Sequence, residues 1–296
     1  MLGSVLSLGA ALFWASSVIL FKKCGEEISP IPLNIYKCFV AFILLSLSMF
    51  ILGIKFVPDN QPSDWLLLCF SGVVGIALAD ICFFIALEKL GAGLVAIVEC
   101  LYLPSVIFLS FVFLGERLSN GAIVGALLIL SAVLVSSLPK RGVRKLDSQR
   151  KIPLAGLLFG CLSILLIAVS IVSVKEILER SDVFWATFVR VVAGSASLIL
   201  IIGFHPNRKQ HLKELRFSKV WLYALPASIS ANYLALLCWI GGMKYSASAS
   251  QAAILNQLST VITFILAALF LKERITLNKA VAIILAFSGV YLTLFY

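Results

Sequence analysis

Charge is scarce in this 296-residue chain: Asp, Glu, Lys and Arg make up only 13% of it, whereas 61% is hydrophobic. Soluble domains are about 25% charged and about 45–50% apolar. A water-soluble globule of this size could not bury so many apolar side chains. With a mean hydropathy of +1.07, the sequence predicts an integral membrane protein. The net charge of +10 is then explained by basic loops, as membrane topology requires, and we expect no binding of nucleic acid.

Residue types that form metal and catalytic sites are also scarce. Only two histidines occur, His205 and His211, and both lie in a polar loop. The seven cysteines include no C-x-x-C pair and lie mostly in apolar runs, so we interpret them as packing residues. The sequence contains no H-E-x-x-H, Walker A or Rossmann glycine pattern. We therefore expect no metal, no cofactor and no enzymatic activity.

Long apolar runs recur along the whole chain with short polar breaks. A spanning helix needs about 20 apolar residues, because each adds about 1.5 Å against a hydrocarbon core of about 30 Å. Strands of a membrane β-barrel instead alternate over about ten residues. The third and fourth runs are joined by a tight turn at Glu88–Gly91. The runs predict an all-α membrane protein with ten transmembrane helices, over residues 2–21, 33–53, 65–87, 91–114, 119–138, 154–174, 183–203, 220–242, 246–270 and 277–295.

The second half of the chain repeats marker residues of the first. Lys37 and Arg190 lie 153 residues apart, and Glu116-Arg117 and Glu273-Arg274, which close the fourth and ninth runs, lie 157 apart. Because five helices per repeat is an odd number, the second repeat must enter the membrane from the opposite side. Transporters use such inverted repeats to alternate access. The sequence therefore predicts one repeat over residues 1–138, a basic linker at 139–153 and a second repeat over 154–296.

Two motifs carry a family resemblance. F-L-G-E-R-L at 113–118 and F-L-K-E-R-I at 270–275, with G-A-A-L-F-W-A-S-S at 9–17, resemble EamA-type members of the drug/metabolite transporter superfamily. Lys272 stands where that family usually has glycine. The resemblance implies a ten-helix metabolite transporter with a central cavity. It leaves the substrate open, because the family carries amino acids, nucleotide sugars, sugar phosphates, S-adenosylmethionine and drugs.

Two carboxylates lie inside the apolar runs, Asp80 in the third and Glu99 in the fourth. A charge at the centre of a spanning helix costs roughly 2.5 kcal/mol or more on insertion scales. Both acids fall toward the end of their helices that carries Glu88-Lys89, so they could face one cavity. We expect them to bind substrate or relay protons. A structural pair with a buried base or hydroxyl is the alternative.

Further polar and aromatic residues extend the candidate site. Asn256 lies 157 residues after Glu99, at the matching position of the ninth helix. Polar side chains can also act only as glue between helices, and basic ones near helix ends can extend to the membrane surface. Tyr233 and Trp239 are explained equally well by a lipid interface. The predicted substrate-binding or proton-coupling residues are Glu99, Asp80, Asn256, Tyr102, Trp14, Lys37, Arg190 and Asn232. We interpret the two Glu-Arg pairs as structural helix ends.

These features favour a secondary transporter of the cell membrane that moves a small polar metabolite by alternating access, with proton coupling as one option. A channel or a lipid-translocating protein is the alternative, and a membrane-embedded enzyme is less favoured because no compact catalytic constellation is present. The expected partners are a small-molecule substrate and the lipid bilayer. Monomer and homodimer remain open, as does the direction of transport.

Basic residues also predict the orientation. Apart from Lys37 and Arg190, the breaks after the odd-numbered helices hold 17 Lys and Arg and the breaks after the even-numbered helices hold five. Because Lys and Arg favour the cytoplasmic side, the charges place both termini outside the cytoplasm. The family resemblance points the other way. The five residues of the poorer side are Lys55, Arg117, Lys175, Arg180 and Lys244.

Overall fold

The computed structural model describes residues 1–25, 27–137, 153–215, 219–270 and 277–295. The predicted linker, apart from residue 153, lies outside the described residues. So does the motif Lys272-Glu273-Arg274.

Helices make up the described part of the chain, which contains no strand. Two π-helical segments, Val73–Leu78 and Ile229–Ala235, join α3 to α4 and α11 to α12. The α-helices are α1 Leu2–Cys24, α2 Pro30–Leu52, α3 Pro62–Gly72, α4 Ala79–Glu99, α5 Tyr102–Leu114, α6 Asn120–Ser137, α7 Leu154–Val172, α8 Lys175–Arg180, α9 Val183–Phe204, α10 Arg208–Glu214, α11 Trp221–Ser228, α12 Leu236–Tyr245, α13 Ala249–Asn256, α14 Leu258–Phe270 and α15 Leu277–Phe295.

Several of these helices are apolar enough to cross a membrane. Within the described ranges, six helical stretches have the length and hydropathy of a span, and three shorter apolar helices accompany them. The predicted class, an all-α integral membrane protein, is confirmed. The count of ten spans stays a prediction. The six stretches are Leu2–Cys24, Pro30–Leu52, Pro62–Leu90, Leu154–Val172, Val183–Phe204 and Trp221–Tyr245.

The fourth predicted helix is not continuous. Instead of one helix over 91–114, α4 ends at Glu99, and α5 begins at Tyr102 after a two-residue break. Pro104 explains this break, because a proline ring clashes with the carbonyl four residues earlier, here that of Cys100. The prediction of an uninterrupted helix at 91–114 is wrong.

The ninth predicted helix is interrupted in the same way. The structure has α13 to Asn256 and α14 from Leu258, so the prediction of one helix over 246–270 is also wrong. At this break the Thr260 N–H donates to the Gln257 carbonyl, three residues back, at 3.2 Å. The Gln257 amide also donates to Thr260 Oγ1 at 3.2 Å. These local bonds replace the regular ladder of an α-helix.

The connection predicted at Glu88–Gly91 also differs. Helical hydrogen bonding continues through these residues, which belong to α4. The chain nevertheless reverses direction within this helix. Ala86 and Val98 both pack against Gly160, because a Cβ atom at Gly160 would lie 3.6 Å from the Cβ atom of each. A straight helix would separate these two residues by about 18 Å. A sharp bend within α4 therefore takes the place of the predicted turn.

One end of the bundle joins the α1–α2 connection to the segment between α9 and α11. The segment predicted as a polar loop with two histidines contains the short helix α10, on which His211 is buried. Ser29 Oγ lies 3.0 Å from His211 Nδ1, and the Ser29 N–H donates to the Glu214 carboxylate at 3.0 Å. Burial opposes ionisation of Glu214, but the bonds from Ser29 outweigh it and lower the pKa of this carboxyl group. Lys23 lies 5.9 Å from the Tyr223 ring centre at the same end.

The other end joins the connection between α5 and α6 to the start of α13. The Glu116 carboxylate accepts the backbone N–H of Ala249 at 2.7 Å and that of Ser250 at 3.2 Å. A carboxylate satisfies the free N–H groups at a helix start and stabilises the positive end of the helix dipole. Glu116 thus ties the end of α5 to the start of α13, in keeping with its interpretation as a structural residue. Arg180 and Asp64 form an ion pair at the same end.

Candidate functional site

A central cavity lies between the helices and encloses about 880 Å³ of space, part of which is open to solvent. All eight residues predicted for the site line this cavity: Trp14, Lys37, Asp80, Glu99, Tyr102, Arg190, Asn232 and Asn256. The structure thus brings together side chains from both halves of the chain.

The lining of the cavity repeats between the halves. Many of its residues form pairs separated by 153 or 157 residues, the spacings of the marker residues, or by 156, the spacing of Trp65 and Trp221. A cavity lined in this way lies between the halves of the chain rather than within one of them. The pairs are Trp14 with Ile167, Lys37 with Arg190, Gly75 with Ala231, Ile76 with Asn232, Asp80 with Leu236, Glu99 with Asn256, and Tyr102 with Ser259.

Irregular backbone recurs at the same spacings around the cavity. The π-helical segments begin at Val73 and Ile229, 156 residues apart. The helix breaks directly follow Glu99 and Asn256, 157 residues apart. π-Helical turns often mark functional sites, and transporters build substrate sites from interrupted helices. The Asn34 amide supports the first π segment by donating to the Ile76 carbonyl at 3.1 Å.

Lys37 and Asp80 form a buried ion pair in the cavity wall. Lys37 is 1% exposed and Asp80 is 7% exposed, so neither extends to the membrane surface. The Lys37 ammonium also lies 5.4 Å from the centre of the Phe84 ring, within cation–π range. α2 and α4 thus contribute opposite charges that satisfy each other.

Arg190 on α9 is 1% exposed and has a different environment. Its Nη2 donates to Ser170 Oγ at 3.2 Å, and its Cζ lies 5.4 Å from the centre of the Trp239 ring. Nε and Nη1 are buried and have no hydrogen-bond acceptor in the described part of the chain. The guanidinium is therefore held in place but only partly satisfied.

Close contacts between α3, α7 and α9 hold the backbone and side chain of Arg190 in position. Ser71 Oγ donates to the Ser170 carbonyl at 2.7 Å, and Ser170 Oγ is 2.8 Å from the Ser71 carbonyl. A Cβ atom at Gly75 would lie 2.2 Å from Ser170 Oγ, and one at Gly72 would lie 2.2 Å from the Arg190 carbonyl oxygen. Only glycine allows this approach, which places the start of the first π segment directly against Arg190.

Aromatic side chains form another part of the lining. The Trp239 indole donates to the Tyr102 hydroxyl at 3.2 Å. Trp14 and Glu99 also line the cavity. Tyr233 instead pairs with Ser48 at 2.6 Å and is not part of the lining.

Sequence reasoning missed several lining residues. Trp239, which a lipid interface explains equally well, lines the cavity, and so do Gln257, Ser259 and Thr260, none of which is among the predicted site residues. Applying the spacing of 157 residues to Tyr102 would have identified Ser259. The hydrogen bond between Trp239 and Tyr102 joins helices distant in sequence, so no local pattern indicates it.

An all-helical membrane protein with a cavity between its halves, lined in part by buried charged side chains, has the architecture of a membrane transporter. Comparison with known proteins agrees: the model of the EamA-like transporter family matches residues 1–138 and 154–295. The chain belongs to the EamA-like transporter family, and the resemblance drawn from its motifs is confirmed. It is a multi-pass membrane transporter.

Two individual proteins illustrate the relationship. An uncharacterized transporter from Archaeoglobus fulgidus is 25% identical over 297 residues, which cover 99% of this chain and 98% of the relative. One solved crystal structure is similar with a TM-score of 0.77 at 17% identity, covering 98% of this chain and 95% of the other. The latter likeness concerns the fold alone.

Proposed function

We propose that this protein is a secondary transporter that moves a small polar metabolite across the cell membrane by alternating access. The observation that carries the proposal is the single cavity at which all eight predicted residues meet. Access to this cavity alternates as one half of the chain moves against the other.

The proposal includes two inverted repeats, residues 1–138 and 154–296. The matching positions of the π segments and the helix breaks support it, since two independent irregularities recur at nearly the same spacing. The paired lining of the cavity supports it as well. In such transporters the repeats rock around a fixed central site.

Glu99 is proposed as the residue that couples transport to substrate or proton binding. It ends α4 at the break and lines the cavity, where a carboxylate can bind a cationic group or exchange a proton. Asp80 is less available, because Lys37 holds it in an ion pair.

A variant of Glu99 tests the function. Glu99→Gln should keep expression and folding but lose most uptake in proteoliposomes screened with radiolabelled amino acids, nucleosides and organic acids. Glu88→Gln, an exposed carboxylate on the same helix, is the matched control and should transport like the unaltered protein. Saturation and competition by unlabelled substrate separate a carrier from a channel. Unchanged, pH-dependent uptake by Glu99→Gln would exclude the proposed role.

A further inference from the structure

The two buried cations of the cavity occupy matching positions but differ in their partners. Lys37 forms an ion pair with Asp80. The residue 156 positions after Asp80 is Leu236, which also lines the cavity. The second half of the chain therefore has the cation, Arg190, but an apolar side chain where the first half has the carboxylate.

Arg190 is consequently left with unused donors. Nε and Nη1 together carry three N–H groups, and within the described residues none of them has an acceptor. A buried charge without a partner is costly, so such a group is retained only where something else repays the cost. Ser170 and the Trp239 ring hold the guanidinium without neutralising it.

The acids that line the cavity do not fill this gap. They are Asp80 and Glu99. Asp80 interacts electrostatically with Arg190, but its hydrogen bond goes to Lys37. Neither carboxylate accepts a hydrogen bond from Nε or Nη1 of Arg190.

We propose that Arg190 is the anion subsite of the cavity and that a carboxylate group of the substrate binds it, as Asp80 binds Lys37. This inference rests on the proposed transport function and specifies its substrate class: a small organic acid or zwitterion. A singly charged, planar carboxylate matches one guanidinium fork. A phosphate monoester carries nearly two charges and would leave one of them buried without a partner.

The surroundings of the subsite also predict an apolar body for the substrate. Trp239 and Tyr102 lie beside Arg190, and Ile164, Ile167 and Ala235 line the same cavity. Such a lining favours a monocarboxylate with an apolar portion over a polyanion.

Supplying the missing carboxylate from the protein itself tests the geometry. Leu236 lies one helical turn before Trp239, whose ring contacts Arg190, so both residues share a helix face. Leu236→Asp should unfold at a higher temperature than the isosteric Leu236→Asn when Arg190 is present. In the Arg190→Gln background the order should reverse, because the new carboxylate then lacks a partner. Identical differences in the two backgrounds would show that position 236 does not face Arg190 and would overturn the inference.

Binding of benzoate tests the subsite directly, with benzamide as the neutral isostere. Calorimetric titration of the purified protein in nanodiscs should detect benzoate and give at least about tenfold weaker binding of benzamide, as expected for a charged hydrogen bond. Arg190→Gln should abolish this preference, and Arg190→Lys should recover part of it. Leu236→Asp should weaken benzoate binding at least about tenfold more than Leu236→Asn. Equal binding of benzoate and benzamide, or no binding of either, would overturn the inference.

The result also separates this inference from the proposed function. Arg190-dependent benzoate binding without saturable uptake of any compound in proteoliposomes would refute transport and leave the anion subsite standing. Saturable uptake of a metabolite that is unchanged in Arg190→Gln would refute the subsite and leave transport standing.

Discussion

Three charged side chains buried around the cavity give this protein its chemical character at the scale of single residues. Lys37, Asp80 and Arg190 are each at least nine-tenths buried. Desolvation of such groups is costly in any protein interior, and only close partners or a bound ligand offset it. The stability of the protein should therefore depend on whether each of these charges keeps its partner.

Removing one member of the Lys37–Asp80 pair should be far worse than removing both. Asp80→Asn leaves an unpaired buried ammonium and should cost about 3–5 kcal/mol of stability. The double variant Asp80→Asn with Lys37→Met should recover much of this loss. Thermal unfolding of the purified variants in detergent measures both effects. If the double variant is as unstable as Asp80→Asn alone, the pair is not the source of the loss.

The ion pair between Arg180 and Asp64 is the control for this experiment. The Arg180 side chain is 56% exposed, so water can take the place of its partner. Asp64→Asn leaves only this exposed guanidinium without its partner and should therefore change stability by at most about 1 kcal/mol.

At the scale of helices, the close approach of α3 to α9 positions Arg190. Gly72→Ala would place a methyl group against the Arg190 backbone, so the variant should unfold at a lower temperature and bind benzoate more weakly. Gly203, also helical, has nothing within 4 Å of its Cβ position. Gly203→Ala should be neutral or stabilising by up to about 1 kcal/mol, because alanine favours helix. Equal effects of the two variants would contradict the role of this contact.

The helical elements were predictable to different degrees. The length of the apolar runs predicted the membrane class correctly, because bilayer thickness sets the length of a spanning helix, whereas the count of ten spans stays a prediction. Pro104 in the sequence is enough to expect the break before α5, although a continuous helix was predicted there. The break at Gln257 has no proline beside it, and the two π segments have no sequence signature. They depend on contacts such as that of Asn34 with the Ile76 carbonyl.

At the scale of the whole molecule, several connections with few basic residues meet at one end of the bundle. Contacts join segments of the basic-poor group at one end: Arg180 with Asp64, Lys244 with the Ser181 carbonyl, and Lys175 with the Ser246 carbonyl. All of these residues lie in the breaks after even-numbered predicted helices, except Ser246, which begins the predicted ninth helix. The grouping of basic residues used for the orientation is therefore consistent with the spatial arrangement of these breaks.

The orientation prediction follows from this grouping. Because the basic-rich end should face the cytoplasm, both termini should lie outside it. A phosphatase fused after Tyr296 should be active, and a fluorescent protein fused at the same place should be dark. Fusions after Lys244, in the basic-poor group on the same side as the termini, should match the C-terminal pair. A dark phosphatase with a bright fluorescent protein would show that the charge rule misplaces the termini.

The membrane class, the family and the candidate residues follow from the order of the amino acids. Apolar run length, recurring motifs and rare buried charges are local properties, and each can be read from the linear chain. Which buried cation has a partner does not follow from that order. Asp80 meets Lys37, whereas Arg190 meets Ser170 and Trp239, because helices distant in sequence pack side by side. Such pairings depend on the packing of the whole bundle, and they determine which cation is left to bind a substrate.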